Sequence, residues 1–90
     1  IITDAGWKTL PGWIISPKPL KIEEVESVSM SSEHGVINTK QKETAFKPGD
    51  LLDYQVGYGD ATVFLHENLY GFRNESLESI WPVQGRGKYT

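Results

Sequence analysis

Leu69-Tyr70-Gly71-Phe72-Arg73-Asn74-Glu75-Ser76-Leu77-Glu78-Ser79-Ile80-Trp81 is the stretch whose reading decides the fold. Two short runs rich in aromatic and aliphatic side chains flank Asn74-Glu75-Ser76, which reads as a hairpin loop. Pro82 follows and closes the second run, because proline cannot donate to a continuing ladder. Working outward, residues 51–56 alternate, with Leu52, Tyr54 and Val56 on one face of a half-buried strand. Residues 22–30 also alternate, but Val25 is out of phase with Val28 and Met30, and a bulge near Ser27 or a strand start at Val25 resolves the mismatch. Pro11-Gly12 and Lys47-Pro48-Gly49-Asp50 are turns, while Pro17 and Pro19 make a central strand there improbable. Ile1-Ile2-Thr3 reads as the end of a strand, and residues 38–47 as a solvated, lysine-rich loop. Residues 85–88, Gly-Arg-Gly-Lys, read as a mobile tail. Close-set short strands punctuated by Gly and Pro predict an all-β chain. The expected form is a small antiparallel β-barrel-like domain with at most one or two short helical turns. Its core is expected to draw on Trp13, Val28, Leu52, Tyr54, Leu69, Phe72, Ile80 and Trp81.

Ninety residues make one domain, 1–90, large enough for a single core. Nine Lys and Arg against twelve Asp and Glu leave a net charge of −3, which excludes the basic face of a nucleic-acid or membrane-surface module. The absence of Cys rules out disulfides and thiolate metal sites, and fits a reducing, cytoplasmic setting. No apolar run approaches the ~18 residues that span a bilayer. Beginning at Ile1 rather than Met, the chain is expected to be a fragment or a processed product.

Chemistry concentrates in residues 56–67, Val-Gly-Tyr-Gly-Asp-Ala-Thr-Val-Phe-Leu-His-Glu. Gly57 and Gly59 weaken a strand through Tyr58 and point to a bulge or a close backbone approach. Asp60 stands where an N-cap would stand for a helical turn over residues 61–65. Tyr58 and Asp60, two apart, share a face on extended backbone. His66 either ligates or hydrogen-bonds nearby backbone. His34, after Glu33 and before Gly35, is either a satisfied sheet histidine beside a bulge or a proton carrier oriented by the neighbouring carboxylate. Arg86, between two glycines, either recognises a carboxylate or phosphate or belongs to the tail.

The order of short motifs carries more than any one of them. Asp4-Ala5-Gly6-Trp7-Lys8, Ser32-Glu33-His34-Gly35, Pro48-Gly49-Asp50, Asp60-Ala61-Thr62 with Leu65-His66-Glu67, and Trp81-Pro82-Val83 with Arg86-Gly87 follow one another. Together they resemble the C-terminal β domain of D-threonine aldolases and D-serine dehydratases, pyridoxal-phosphate enzymes of the alanine racemase-like class. The resemblance implies a cofactor held by an N-terminal barrel that this chain lacks. It also implies that the present domain covers the cofactor pocket against a small D-amino acid, with a homodimer as one assembly. It further implies two ligands for a divalent metal on this domain, of which Asp60 matches one. Tyr58 stands in place of the other, a His, and Val56 in place of a Pro. A phenol must lose its proton to compete as a ligand and neutral imidazole need not, so no tight metal site is expected. On the resemblance, Tyr58 and His34 are the catalytic candidates, and Tyr58, Asp60 and His66 the substrate contacts. The implied activity is a lyase, aldolase or dehydratase. The alternatives are a racemase of the same class and a stand-alone β module with no catalytic partner.

Overall fold

The computed structural model describes residues 1–88. Eight elements follow in order: β1 (Ile2–Thr3), β2 (Lys18–Pro19), β3 (Val25–Met30), β4 (Gly35–Thr39), β5 (Tyr54–Gln55), α1 (Gly59–Val63), β6 (Asn68–Arg73) and β7 (Ser76–Pro82). All pairings are antiparallel, in three separate sheets ordered β1-β4-β3, β2-β5 and β6-β7. The all-β class with one short helix is as the sequence reads. The sheets do not close on one another, so the barrel-like form is replaced by three small sheets set side by side. The body is a slab of 46 × 32 × 19 Å.

Local rules account for each element. In β3, the register against β4 shifts between Val25 and Ser27, the bulge that the broken alternation requires. The β6–β7 loop is only two residues, Asn74 and Glu75, with φ of 48° and 66°. Positive φ at both positions is the hairpin turn whose twist matches its strands. A second register shift, between Gly71 and Phe72, leaves Glu78 as an extra residue in β7. Pro19 lies in a two-residue strand of a two-stranded sheet, an edge position that tolerates a missing donor. The N-terminal segment is laced to the β3–β4 loop, where Trp7 N donates to Ser31 O at 2.7 Å and Lys8 N to Ser32 O at 3.0 Å. A hydrogen bond of 3.2 Å between the Thr3 and Tyr54 hydroxyls ties the first sheet to the second.

The core is smaller than the pattern of apolar residues predicts. Among the large aliphatic and aromatic side chains of the described residues only Leu10 and Ile37 are buried, Ile37 on the middle strand of the largest sheet. Val28, Leu52 and Tyr54 are half-buried, but Trp13, Leu69, Phe72, Ile80 and Trp81 are exposed, contrary to expectation. Leu69, Phe72, Ile80 and Trp81 lie on the strands read for them, whereas Trp13 lies on none, and the strand expected over residues 51–56 shortens to Tyr54–Gln55, leaving Leu52 and Val56 outside it. A folded monomer of 10.1 kDa exposes about 5,300 Å², whereas this chain exposes 7229 Å². On β6–β7 the paired residues Tyr70 and Ile80, and Phe72 and Leu77, put four apolar side chains on one uncovered face.

Candidate functional site

The site grows from the junction of β5 and α1. Gly57 lies so close to the backbone of residues 15 and 16 that an added Cβ would collide with the Ile15 carbonyl oxygen. This is the close approach that the glycine pair implies, and only a residue without a Cβ permits it. Gly59 meets nothing within 4 Å; it simply begins α1. Tyr58, extended at φ −128° and ψ 104°, is the N-cap residue, and no side chain caps the helix. The expected cap, Asp60, sits inside the first turn instead, where its charge complements the helix N-terminus.

Thr62 fixes this junction. Buried, it donates from its amide at 3.2 Å and from Oγ1 at 2.8 Å to the Tyr58 carbonyl. The Tyr58 ring meets Trp13 edge-on, with centroids 5.2 Å apart at 74°. Among the described residues the Tyr58 hydroxyl and the Asp60 carboxylate have no hydrogen-bond or ion-pair partner within the chain. Both are therefore available to a ligand.

The remaining candidates are engaged elsewhere. His66 Nε2 lies 2.8 Å from the Thr9 carbonyl oxygen. A carbonyl only accepts, so that nitrogen carries the proton and the ring is tied to backbone. Arg86 donates to the Phe64 carbonyl at 3.2 Å and pairs with Glu67 at 3.6 Å, which clips residues 85–88 to the end of α1 rather than leaving a free tail. His34 lies in the loop before β4, not within a strand, and exchanges hydrogen bonds with Ser31 through its backbone. The Glu33 carboxylate accepts from Lys8 Nζ at 3.0 Å, so it is taken by a lysine rather than by the histidine. No hydrogen bond or ring contact joins His34 to Tyr58, Asp60 or His66 among the described residues. Trp13 and Thr62 are the residues that sequence reasoning passed over. Gly57 signalled that something approached, but not that Trp13 came with it.

The donor set does not fit a metal centre: no group of three or more His, Asp or Glu residues converges among the described residues. Nor does it fit an anchor for pyridoxal phosphate, since every lysine described is exposed and Lys8 is spent on Glu33. What the arrangement offers is a phenol donor and a carboxylate acceptor at one junction, beside an indole. No helix among the described residues is long and apolar enough to cross a membrane.

Comparison with known proteins bears on this arrangement. The chain is 36% identical over 87 residues to the 3-hydroxy-D-aspartate aldolase of Paracoccus denitrificans, with a second match of the same extent from strain Pd 1222. The alignment covers 97% of this chain and 22% of the relative, so the chain spans about a fifth of the length of the curated relatives it matches. Residues 1–72 match the family described as "Putative serine dehydratase domain", and with four-fifths of its length matched the chain belongs to that family.

Proposed function

We propose that this chain is the C-terminal, pocket-covering domain of a pyridoxal-phosphate-dependent lyase acting on a D-3-hydroxy amino acid. What carries the reading is the match over 97% of the chain to an enzyme named 3-hydroxy-D-aspartate aldolase. The uncovered surface supports a partner domain. The excess over a monomer of this mass is roughly 1,900 Å², beyond the ~800 Å² per partner of a standard interface. That excess speaks against a stand-alone module, which must cover its apolar residues by itself. The partner is the cofactor-binding barrel of the same protein, and a homodimer provides a second covering surface.

When bound, the cofactor withdraws electrons from the substrate Cα. Cleavage or elimination at Cβ then depends on the β-hydroxyl, and this chain's residues act there. The Tyr58 hydroxyl donates a hydrogen bond to the β-oxygen and holds it in place. The Asp60 carboxylate accepts from the β-hydroxyl and takes its proton as the Cα–Cβ bond breaks in an aldol cleavage. Two groups at one junction thereby serve a step that a metal-bound hydroxyl would otherwise serve.

The test is an activity screen of the full-length protein loaded with pyridoxal phosphate. Aldehyde release is measured from D-threonine and 3-hydroxy-D-aspartate, keto-acid release from D-serine, and loss of optical rotation from D-alanine. Asp60→Asn is expected to lower kcat for aldehyde release about 100-fold, within the usual range for a general base. Racemisation alone would replace the lyase by a racemase, and no turnover of any D-amino acid would remove the enzymatic reading.

A further inference from the structure

We propose that Trp13 is the positioning residue for the Tyr58 hydroxyl, aimed by a strained turn at Ile14. The proposal rests on the reading that Tyr58 contacts the substrate. The observations concern how Tyr58 is held. Its carbonyl is fixed twice by Thr62, but among the described residues its ring has one aromatic neighbour, Trp13, met edge-on at 5.2 Å. Its hydroxyl has no partner among the described residues, so nothing at the polar end sets the direction of the ring. The edge-on contact does this, because an indole and a phenol prefer that geometry through their opposed ring charge distributions.

The turn that presents Trp13 is not what packing alone would select. Ile15 N donates to Trp13 O at 2.8 Å across Ile14, whose φ is 68°. This is the rare, strained hand of the γ-turn, and a β-branched residue is the least suited to it. Burial does not offset the strain, since Trp13, Ile14 and Ile15 are 55%, 70% and 60% exposed. What holds the turn is the seating of residues 15 and 16 on Gly57. Gly57 adjoins Tyr58, so one contact point locates both the indole and the phenol it braces. A conformation so unfavourable locally, kept beside two unengaged polar groups, fits a site that must be preorganised.

The experiment uses the full-length, cofactor-loaded protein with D-threonine as the probe, and a cycle of Trp13→Leu, Tyr58→Phe and the double variant. Trp13→Leu is expected to lower kcat about three- to tenfold, the range of one aromatic pair, with KM changed less than twofold. In the Tyr58→Phe background the same substitution is expected to do nothing, because the group it positions has gone. Trp13→Phe, which keeps an aromatic edge, restores activity to within about twofold. Ile14→Gly relieves the strain yet loosens the aim, so it lowers kcat while leaving the unfolding midpoint unchanged or higher; a merely structural turn would not divide the two. Near-ultraviolet circular dichroism of the cofactor-free protein supplies a readout independent of turnover, with the Trp13 band weakened in Ile14→Gly and kept in Trp13-containing controls outside the turn. Losses that multiply in the double variant overturn the proposal, as does a silent Trp13→Leu beside an impaired Tyr58→Phe. A silent Tyr58→Phe removes the substrate contact itself, and the proposal falls with it.

Discussion

Two glycines two residues apart should respond to the same substitution with opposite signs. At Gly57 an alanine methyl would meet the Ile15 carbonyl oxygen at a distance no contact permits, with the Ile15 carbonyl carbon at 2.8 Å and that of Ser16 at 3.0 Å. These are backbone atoms, so no rotamer change relieves the clash and the 13–16 segment must move. Overpacking of this kind costs about 1–3 kcal/mol, and displacement of the Trp13 edge from Tyr58 adds to it. At Gly59 the same methyl meets nothing within 4 Å and enters the first turn of α1. There it should stabilise by up to about 1 kcal/mol through helix propensity and reduced chain entropy. Hydrogen exchange of the full-length protein reads both effects locally. A cost of ~2 kcal/mol accelerates exchange about 30-fold, and the affected amides are those of the β2–β5 ladder around residues 18–20 and 54–57, including Leu20 N bonded to Asp53 O at 2.8 Å. Gly59→Ala should instead slow exchange across α1. Protection in Gly57→Ala within threefold of the unaltered protein would show that the Ile15 carbonyl does not rest on Gly57, and the account of the junction would fail.

Three further outcomes are expected. Thr62→Val keeps the shape of a buried side chain but deletes the 2.8 Å bond to the Tyr58 carbonyl, and should destabilise α1 by about 1 kcal/mol by urea titration. Glu75→Gly should stabilise the β6–β7 hairpin by about 1 kcal/mol, because Glu75 holds φ at 66° where glycine carries no penalty; thermal melting checks the sign. Calorimetry with zinc and manganese should give no tight binding to the unaltered protein, since Asp60 has no converging partners among the described residues; binding gained only in Tyr58→His would show that the site's geometry survives and that its first ligand was lost. Tight binding without the substitution would make Tyr58 a working ligand.

Local chemistry was legible in the residues. The phase break around Ser27, a hairpin at Asn74-Glu75-Ser76 (of which Ser76 already belongs to β7) and the exclusion of Pro19 from a central strand each follow from rules that act over a few residues. Burial was not legible. Alternation says that Tyr70 and Phe72 face one way, but not that the Glu78 bulge turns Leu77 and Ile80 to the same side, nor that anything within the chain lies on that side. The helix start was misplaced because Asp is a favoured cap in general, whereas here Thr62, four residues after Tyr58, bonds back to it and sets the boundary. At the candidate site, the close backbone approach at Gly57 was readable from the glycine pair. Trp13 was not: it lies 45 positions away in sequence, and only the folded seat on Gly57 brings it to the phenol. The engagement of His66 by Thr9 and of Glu33 by Lys8 likewise depends on loops meeting across the fold.

The β6–β7 sheet has only two strands, so each is an edge with one row of backbone donors and acceptors unpaired. Edges of this kind are templates for further strands, and natural proteins usually blunt them with prolines, charges or a covering layer. Here the ion pair of Arg73 with Glu78 at 3.0 Å guards the turn end, and Pro82 the other, while the length between is aromatic and aliphatic. Such a ribbon, left uncovered, can add strands from neighbouring copies. Aggregation during synthesis or refolding should therefore begin at residues 69–72 and 79–81, and a charged residue at Tyr70 or Phe72 would suppress it, at a cost to any docking on this face. Solubility and docking are opposed demands on the same few side chains.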